Sequence, residues 1–230
     1  MWHQDDWHLT AERVAIHRPT NTAVLADMHL GYVTARRGDG EAVPHFGEIE
    51  RLDYLAQMLE HLHIKDVVVA GDMVESARHG HQAASDWVAE LRGKNIKTHL
   101  VPGNHDCGLE DIEGLKIHPD GYRLGSWLVL HDVELNDPRP VIHGHLHPTL
   151  RSATLPGEAP CYLQTENRLL LPAWCDHAAG VSVLGMTDWH HAYCHGIVGT
   201  QVIALGVVEK LAKQLRRRPR PFRIGFGLTT

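Results

Sequence analysis

Asp27-Met-His29, Gly71-Asp72, Gly103-Asn-His-Asp106, His131 and Gly144-His-Leu-His147 are five short motifs built from residue types that hold metal ions. Imidazole, carboxylate and an amide oxygen make a ligand set suited to manganese, with iron or zinc as alternatives; calcium and magnesium favour all-oxygen shells. Histidine is abundant, 20 in 230 residues, and imidazole is the commonest metal ligand. In an extended segment residues i and i+2 point the same way. Asp27 and His29 are therefore expected to grip one ion together, with Met28 turned into the core. His145 and His147 are expected to share a side, with Leu146 turned away. The glycines before Asp72, Asn104 and His145 permit sharp turns and close approach of the backbone.

Two divalent ions need a shared anion between them, at roughly 3.5–4 Å separation. Asp72 is the natural bridge. One ion would take Asp27, His29, Asp72 and His147; the other Asp72, Asn104, His131 and His145. Two such cations, set against two carboxylates and one bridging hydroxide, leave roughly one positive charge, because Asn104 and the histidines are neutral ligands. That site suits a phosphate ester, and bound water with a pKa of about 7 is a nucleophile at neutral pH. His105 is placed to protonate the leaving alkoxide, and Asp106 to hold that imidazole in the right tautomer.

Short apolar runs must position these residues. Residues 14–16, 22–26, 67–70 and 96–101 are expected strands, and 47–63 and 82–92 expected helices from their apolar spacing. Hairpins are expected at 122–130, through Gly125-Ser126, and at 162–171, through Thr165-Glu-Asn167; residues 140–142 and 150–153 add short strands. The motifs fall where strands end, as ligand-binding residues do in α/β sheets. An opening strand pair, a β-α-β-α-β run and then mostly strands indicate an α/β protein with two sheets covered by helices. Residues 1–209 are expected to form a single domain, and 210–230 a basic, proline-punctuated tail that frays. Its Arg216-Arg-Arg-Pro-Arg220 run either contacts phosphates or stays solvated.

Composition bounds the setting. The chain is 43% hydrophobic and 22% charged, with a net charge of -6, so its bulk charge does not call for nucleic acid. Cys107, Cys161, Cys175 and Cys194 form no CxxC pair and are expected to be reduced thiols in the cytoplasm. The acidic start, MWHQDDWHL, is unlike a signal peptide. Residues 196–208 are too short a run to span a bilayer, so no membrane partner is expected. The Cys/His-rich stretch 175–195 matches no common zinc spacing and is expected to be a polar loop. His143 is expected to point away from the GHLH turn.

In this order the five motifs resemble the calcineurin-like metallophosphoesterase superfamily, whose pattern is DxH, GD, GNH[D/E], H, GHxH. The match covers roughly residues 22–150. The resemblance implies a four-layer αββα sandwich holding two divalent ions on the ligands assigned above. Many members have glycine after the isolated histidine; here it is Asp132, so His118 stands as a rival to His131. A narrower likeness lies in Asp27-Met-His-Leu-Gly31, Arg36-Arg37-Gly38, Val43-Pro44 and Leu171-Pro-Ala-Trp174. These are similar to bacterial and archaeal phosphoesterases related to SbcD nucleases, especially the ligase-associated DNA-damage-response endonuclease (PdeM-type). That likeness implies a phosphodiesterase acting on nucleic acid, with DNA repair proteins as partners. Arg36 and Arg37, just after the first motif, either steer a phosphate chain or face solvent. A small-molecule nucleotide phosphodiesterase and a non-catalytic scaffold of the same fold are the alternatives. Such scaffolds often lack the histidine of GNH, present here as His105.

Overall fold

The computed structural model describes residues 6–44, 47–133, 138–151 and 157–216. Its first sheet runs in chain order: β1 (Trp7–Leu9), β2 (Ala15–His17), β3 (Thr22–Leu25), β4 (Asp66–Ala70), β5 (Lys97–Val101) and β6 (Leu115–Ile117). The first three are antiparallel; β3 to β6 are parallel. Parallel neighbours need crossovers. Helices α1 (Tyr32–Gly38) and α2 (Glu48–His61) lie between β3 and β4, and α3 (Ala77–Gly93) between β4 and β5.

The side-chain alternation of these strands separates two cores. Ala23, Leu25, Val67, Val69 and Leu100 face α2 and α3, packing with Leu55, Leu59, Trp87 and Leu91. Their neighbours Val24, Ala26, Val68, Ala70 and Val101 face the second sheet and meet Val129, Ile142, Leu169 and Leu171. Because β4 is buried on both faces it needs an unbroken apolar run, hence Val67-Val-Val-Ala70.

The second sheet has nine strands: β7 (Tyr122–Leu124), β8 (Trp127–Val129), β9 (Val141–His143), β10 (Pro148–Arg151), β11 (Glu158–Gln164), β12 (Arg168–Leu170), β13 (Val181–Ser182), β14 (Tyr193–Val198) and β15 (Gln201–Val207). Its outer face carries a third core, where Leu163, Leu170 and Cys194 meet Trp189 and the first residue of α4 (Val208–Arg216). Helices, sheet, sheet and a thinner helical cover make the four-layer αββα sandwich. No described helix is long and apolar enough to cross a membrane.

Several elements differ from the sequence reading. Helix α1 was not expected, and α3 begins at Ala77, five residues before the expected start. Strands β14 and β15 form a hairpin that starts in the last residues of the stretch 175–195, expected to be a polar loop, and runs through the stretch 196–208 weighed above only as a membrane span. The tail expected to fray from Lys210 begins inside α4; from residue 217 it lies outside the described residues, as does most of the basic run at 216–220. The expected strand at 150–153 is met by β10 as far as Arg151; its last two residues lie outside the described residues.

Candidate dinuclear metal centre

The carboxyl ends of β3, β4, β5 and β9, with the residues following β8, converge on one point between the two sheets. Asp27 and Asp72 are its two carboxylates, their side chains 0% and 5% exposed. Backbone amides hold both. The His145 N–H donates to Asp27 at 3.0 and 3.2 Å, and the His105 N–H to Asp72 Oδ1 at 3.1 Å. Two motif loops are laced together by the Asp27 N–H to the Gly71 carbonyl (3.0 Å) and the His29 N–H to the Asp72 carbonyl (2.9 Å).

Around these carboxylates the histidines are oriented through Nδ1. His29 Nδ1 meets Glu75 Oε2 at 3.1 Å, His131 Nδ1 meets the Ala70 carbonyl at 3.1 Å, and His147 Nδ1 meets the Ala179 carbonyl at 3.2 Å. Each Nδ1 that donates leaves Nε2 as a lone pair turned inward. His147 Nε2 lies 3.4 Å from Asp27 Oδ1, His131 Nε2 3.4 Å from Asp72 Oδ2, and His29 Nε2 4.0 Å from Asp72 Oδ2. His145 Nδ1 sits 3.1 Å from His131 Nε2. Lone pairs thus face carboxylates, and His29 Nε2 is buried with no hydrogen-bond partner. Among the described residues the ion pairs of Asp27 and Asp72 are all with histidines. Such an arrangement is repulsive unless cations compensate it, so the donor set fits divalent metals.

Three groupings have ligand atoms within 4.8 Å of one another: Asp27, His29 and His147; Asp72, His131 and His145; and His29, Asp72 and His105. The first two follow the division assigned from the sequence, with Asp72 adjacent to both. Burial, opposed by the Asp72 and Asp27 carboxylates, lowers the pKa of His29, keeping it in the neutral form a metal requires. For His147 burial is outweighed by the Asp27 carboxylate, which favours a proton on Nε2 where no cation compensates it, and the pKa rises. Asn104 is exposed on the turn between Gly103 and His105. His118 is not at the site: its Nε2 bonds His99 Nδ1 at 3.0 Å, and His99 Nε2 bonds Asp66 Oδ1 at 3.0 Å. The structure brings His131, not His118, to the carboxylates.

Two local expectations are corrected. The DxH and HxH pairs are not extended. Asp27, His29, Asp72, His145 and His147 all take left-handed backbone, with φ of 54, 45, 49, 72 and 43°. Aspartate and histidine are among the few non-glycine types that tolerate this region. The pairs converge through tight turns rather than strand alternation. Asp106, expected to orient His105, faces away from it. Its Oδ2 accepts the Gly103 N–H at 2.8 Å and its Oδ1 the Val74 N–H at 3.2 Å, stapling two motif loops. Burial raises the Asp106 pKa against those hydrogen bonds.

Glu75, which the sequence reading did not single out as a site residue, does the work expected of Asp106. Its carbonyl accepts from His105 Nδ1 at 2.8 Å while its carboxylate holds His29. Its place three residues after Asp72 was the available signal. Burial lowers the His105 pKa, but the Glu75 carbonyl and the charges of Asp72, Glu75 and Asp106 prevail and raise it.

Two glycines are required by close packing. A Cβ on Gly71 (φ +82°) would lie 2.0 Å from His131 Nδ1, and one on Gly103 would lie 2.2 Å from Asp72 Oδ1. Arg36 and Arg37, candidates for steering phosphate, have local partners instead. Arg36 pairs with Glu41 at 3.1 Å and lies over the Tyr32 ring, and Arg37 Nε donates to the Val43 carbonyl at 2.7 Å. They brace the last turn of α1 against the loop that follows. His143 points away from the site, buried against Trp189.

The calcineurin-like phosphoesterase family model matches residues 20–198. Among solved structures, the Pseudomonas putida nuclease MPE is similar, with a TM-score of 0.69 and 21% sequence identity over 89% of this chain and 98% of that one. At that identity the likeness is one of fold. No curated protein matches.

Proposed function

The chain belongs to the calcineurin-like phosphoesterase family, and on that premise we propose that this metal-dependent phosphoesterase cleaves phosphodiester bonds in nucleic acid, as a manganese enzyme serving DNA repair. The observation that carries the reading is the convergence of inward-facing imidazole nitrogens on two buried carboxylates, with His105 beside them. Asp27, His29, Asp72 and His147 would hold one ion, and Asp72, Asn104, His131 and His145 the other. Bound there, two divalent ions would draw in a phosphoryl group and lower the pKa of water. The chain's own residues supply orientation and proton transfer. The Glu75 carbonyl occupies His105 Nδ1, so Nε2 is the nitrogen left to protonate a leaving oxygen. Asp106 fixes the loops carrying Asp72 and His105, and Glu75 fixes the His29 ring.

Manganese is favoured by the mixed imidazole, carboxylate and amide donors. Nucleic acid is favoured by the similarity of the DMHLG and Arg-Arg-Gly stretches to repair-associated endonucleases. The structural neighbour, itself described as a nuclease, points the same way. The test is hydrolysis of bis-p-nitrophenyl phosphate, single-stranded DNA, duplex DNA, RNA and mononucleotide esters with manganese. His145→Ala should abolish turnover. Inactivity on every substrate with every divalent metal would sink the reading; turnover of mononucleotides alone would make this a small-molecule phosphodiesterase.

A further inference from the structure

The stretch between β12 and β13 backs one half of the metal centre. Near its start the Trp174 N–H donates to the Ala26 carbonyl at 2.9 Å, and the Cys175 N–H to the Asp27 carbonyl at 3.1 Å. Near its end the Ala179 carbonyl meets His147 Nδ1 at 3.2 Å, and the Val181 N–H donates to the His147 carbonyl at 3.0 Å. Asp27 and His147 both belong to the first ion's ligand set. The second ion's residues are held from other segments: His131 by the Ala70 carbonyl, and Asp72 by the His105 N–H.

Between Leu170 and Val181 the chain has no helix or strand, so its shape must be held from outside. Two arginines hold it. Arg13, in the turn between β1 and β2, directs Nη1 at the carbonyls of Ala173, Trp174 and Cys175, at 3.0, 3.1 and 3.1 Å. Its Nη2 meets Asp176 Oδ1 at 2.5 Å. Arg51, in the first turn of α2, donates to the Trp174 carbonyl at 2.8 Å and to Asp176 Oδ2 at 2.6 Å, with its guanidinium over the Trp174 ring. One carboxylate thus bridges two cations that would otherwise repel each other. Arg13 reaches this place from left-handed backbone, φ 65°, which few non-glycine residues adopt. Its side chain is 16% exposed, so water cannot readily replace its bonds. A lysine, a single ammonium without the planar fork, could not span the same acceptors.

Resting on the ion assignment above, we propose that Arg13, clamped with Asp176 and Arg51, is a positioning residue for the first metal ion. It acts through the backbone. The clamp fixes residues 173–176, and the Cys175 N–H fixes the carbonyl of Asp27, itself on left-handed backbone with φ 54°. Loosening the clamp frees that turn to relax and carries the Asp27 carboxylate away from His147. Partners that orient metal ligands in this way typically carry about 10–100-fold in metal affinity. Here the effect should fall on one ion of the two.

The experiment measures manganese Kd by competition with a chelating dye, in two backgrounds. His131→Ala keeps the ligands of the first ion; adding Arg13→Ala should raise Kd about ten-fold. His147→Ala keeps the ligands of the second; adding Arg13→Ala should change Kd by about two-fold or less. Arg13→Lys, which keeps the charge but not the fork, should fall between arginine and alanine in the first background. Asp176→Asn, at a more exposed position, should shift Kd in the same direction and gives the same comparison if the Arg13 variants fail to fold. Equal rises in both backgrounds would make the clamp a general support of the fold and overturn the proposal. An unchanged Kd in both would also overturn it, while leaving the metal centre intact. Failure of the wild-type protein to bind manganese or any other divalent ion would overturn the metal centre, and this inference with it.

Discussion

His105 and Asp106 are neighbours in the chain with opposite tasks. The turn brings the imidazole near Asp72 and His29 and sends the carboxylate back under Gly103 and Val74. His105→Gln should therefore lower kcat by about 10²–10⁴-fold, the usual contribution of a positioned acid. Metal content, measured by elemental analysis, should remain at the wild-type level. An unchanged kcat would place the proton donor elsewhere. Asp106→Asn keeps one acceptor but faces the other backbone N–H with an NH2 group, so it should destabilise the fold by about 1–3 kcal/mol in denaturant melts. The convergence of these residues was legible in the sequence, because Asp and His at strand ends with flanking glycine leave few readings. Orientation was not. The left-handed turns at Asp27, His29 and His147 are set by hydrogen bonds to Gly71, Asp72 and Ala179, which lie far away in the chain. Adjacency likewise suggested Asp106 as the partner of His105, whereas the structure supplies Glu75 from another loop.

Elements whose burial comes from side chains were read well; those packed through backbone were not. Helix α2 and the later turns of α3 carry apolar residues at helical spacing. The first turn of α3, Ala77 to His81, carries only Ala77. There Gly80 lies against Leu30, so close that a Cβ would sit 2.2 Å from the Leu30 carbonyl oxygen. That contact leaves no apolar period to detect. Within α3, Trp87 is the largest fully buried side chain. Trp87→Ala should cost about 3–5 kcal/mol, read as a lower denaturant midpoint at constant slope. Trp87→Phe should cost less, because the indole N–H is buried without a partner and phenylalanine removes it. Across β4, β5 and the end of β6 runs the Asp66–His99–His118 chain, where burial lowers the His99 pKa against the Asp66 hydrogen bond. The unfolded state then binds the proton more readily. The stability from His99 is full above its unfolded pKa of about 6.5 and is lost as pH falls below it. His99→Phe should flatten the decline of Tm between about pH 7.5 and 5.5 relative to wild type; an unchanged slope would remove His99 from the acid response.

For the molecule as a whole, the centre is a cost that the rest of the sandwich must cover. Two carboxylates lie buried between the sheets, and five of the candidate ligands occupy left-handed backbone, each held at an expense of order 1 kcal/mol. The three cores offset this: Val68 and Ala70, immediately before Gly71-Asp72, are fully buried between the sheets. Metal binding should therefore stabilise the whole fold and not the site alone, since the groups it neutralises sit at the junction of both sheets. At a free manganese concentration of about 100 times Kd the gain is about 2.7 kcal/mol. For a chain of this size that corresponds to a Tm roughly 5–10 °C higher than in chelator. Asp27→Asn separates this effect from ordinary packing. The amide keeps the shape of the carboxylate and can still accept the His145 N–H, but it removes a buried charge. In chelator the variant should melt at or above the wild-type temperature; with manganese it should lose most of the metal-induced rise and all turnover. A wild-type-sized rise in the variant would show that Asp27 holds no ion. A lower melting point in chelator would show that the charge itself supports the fold.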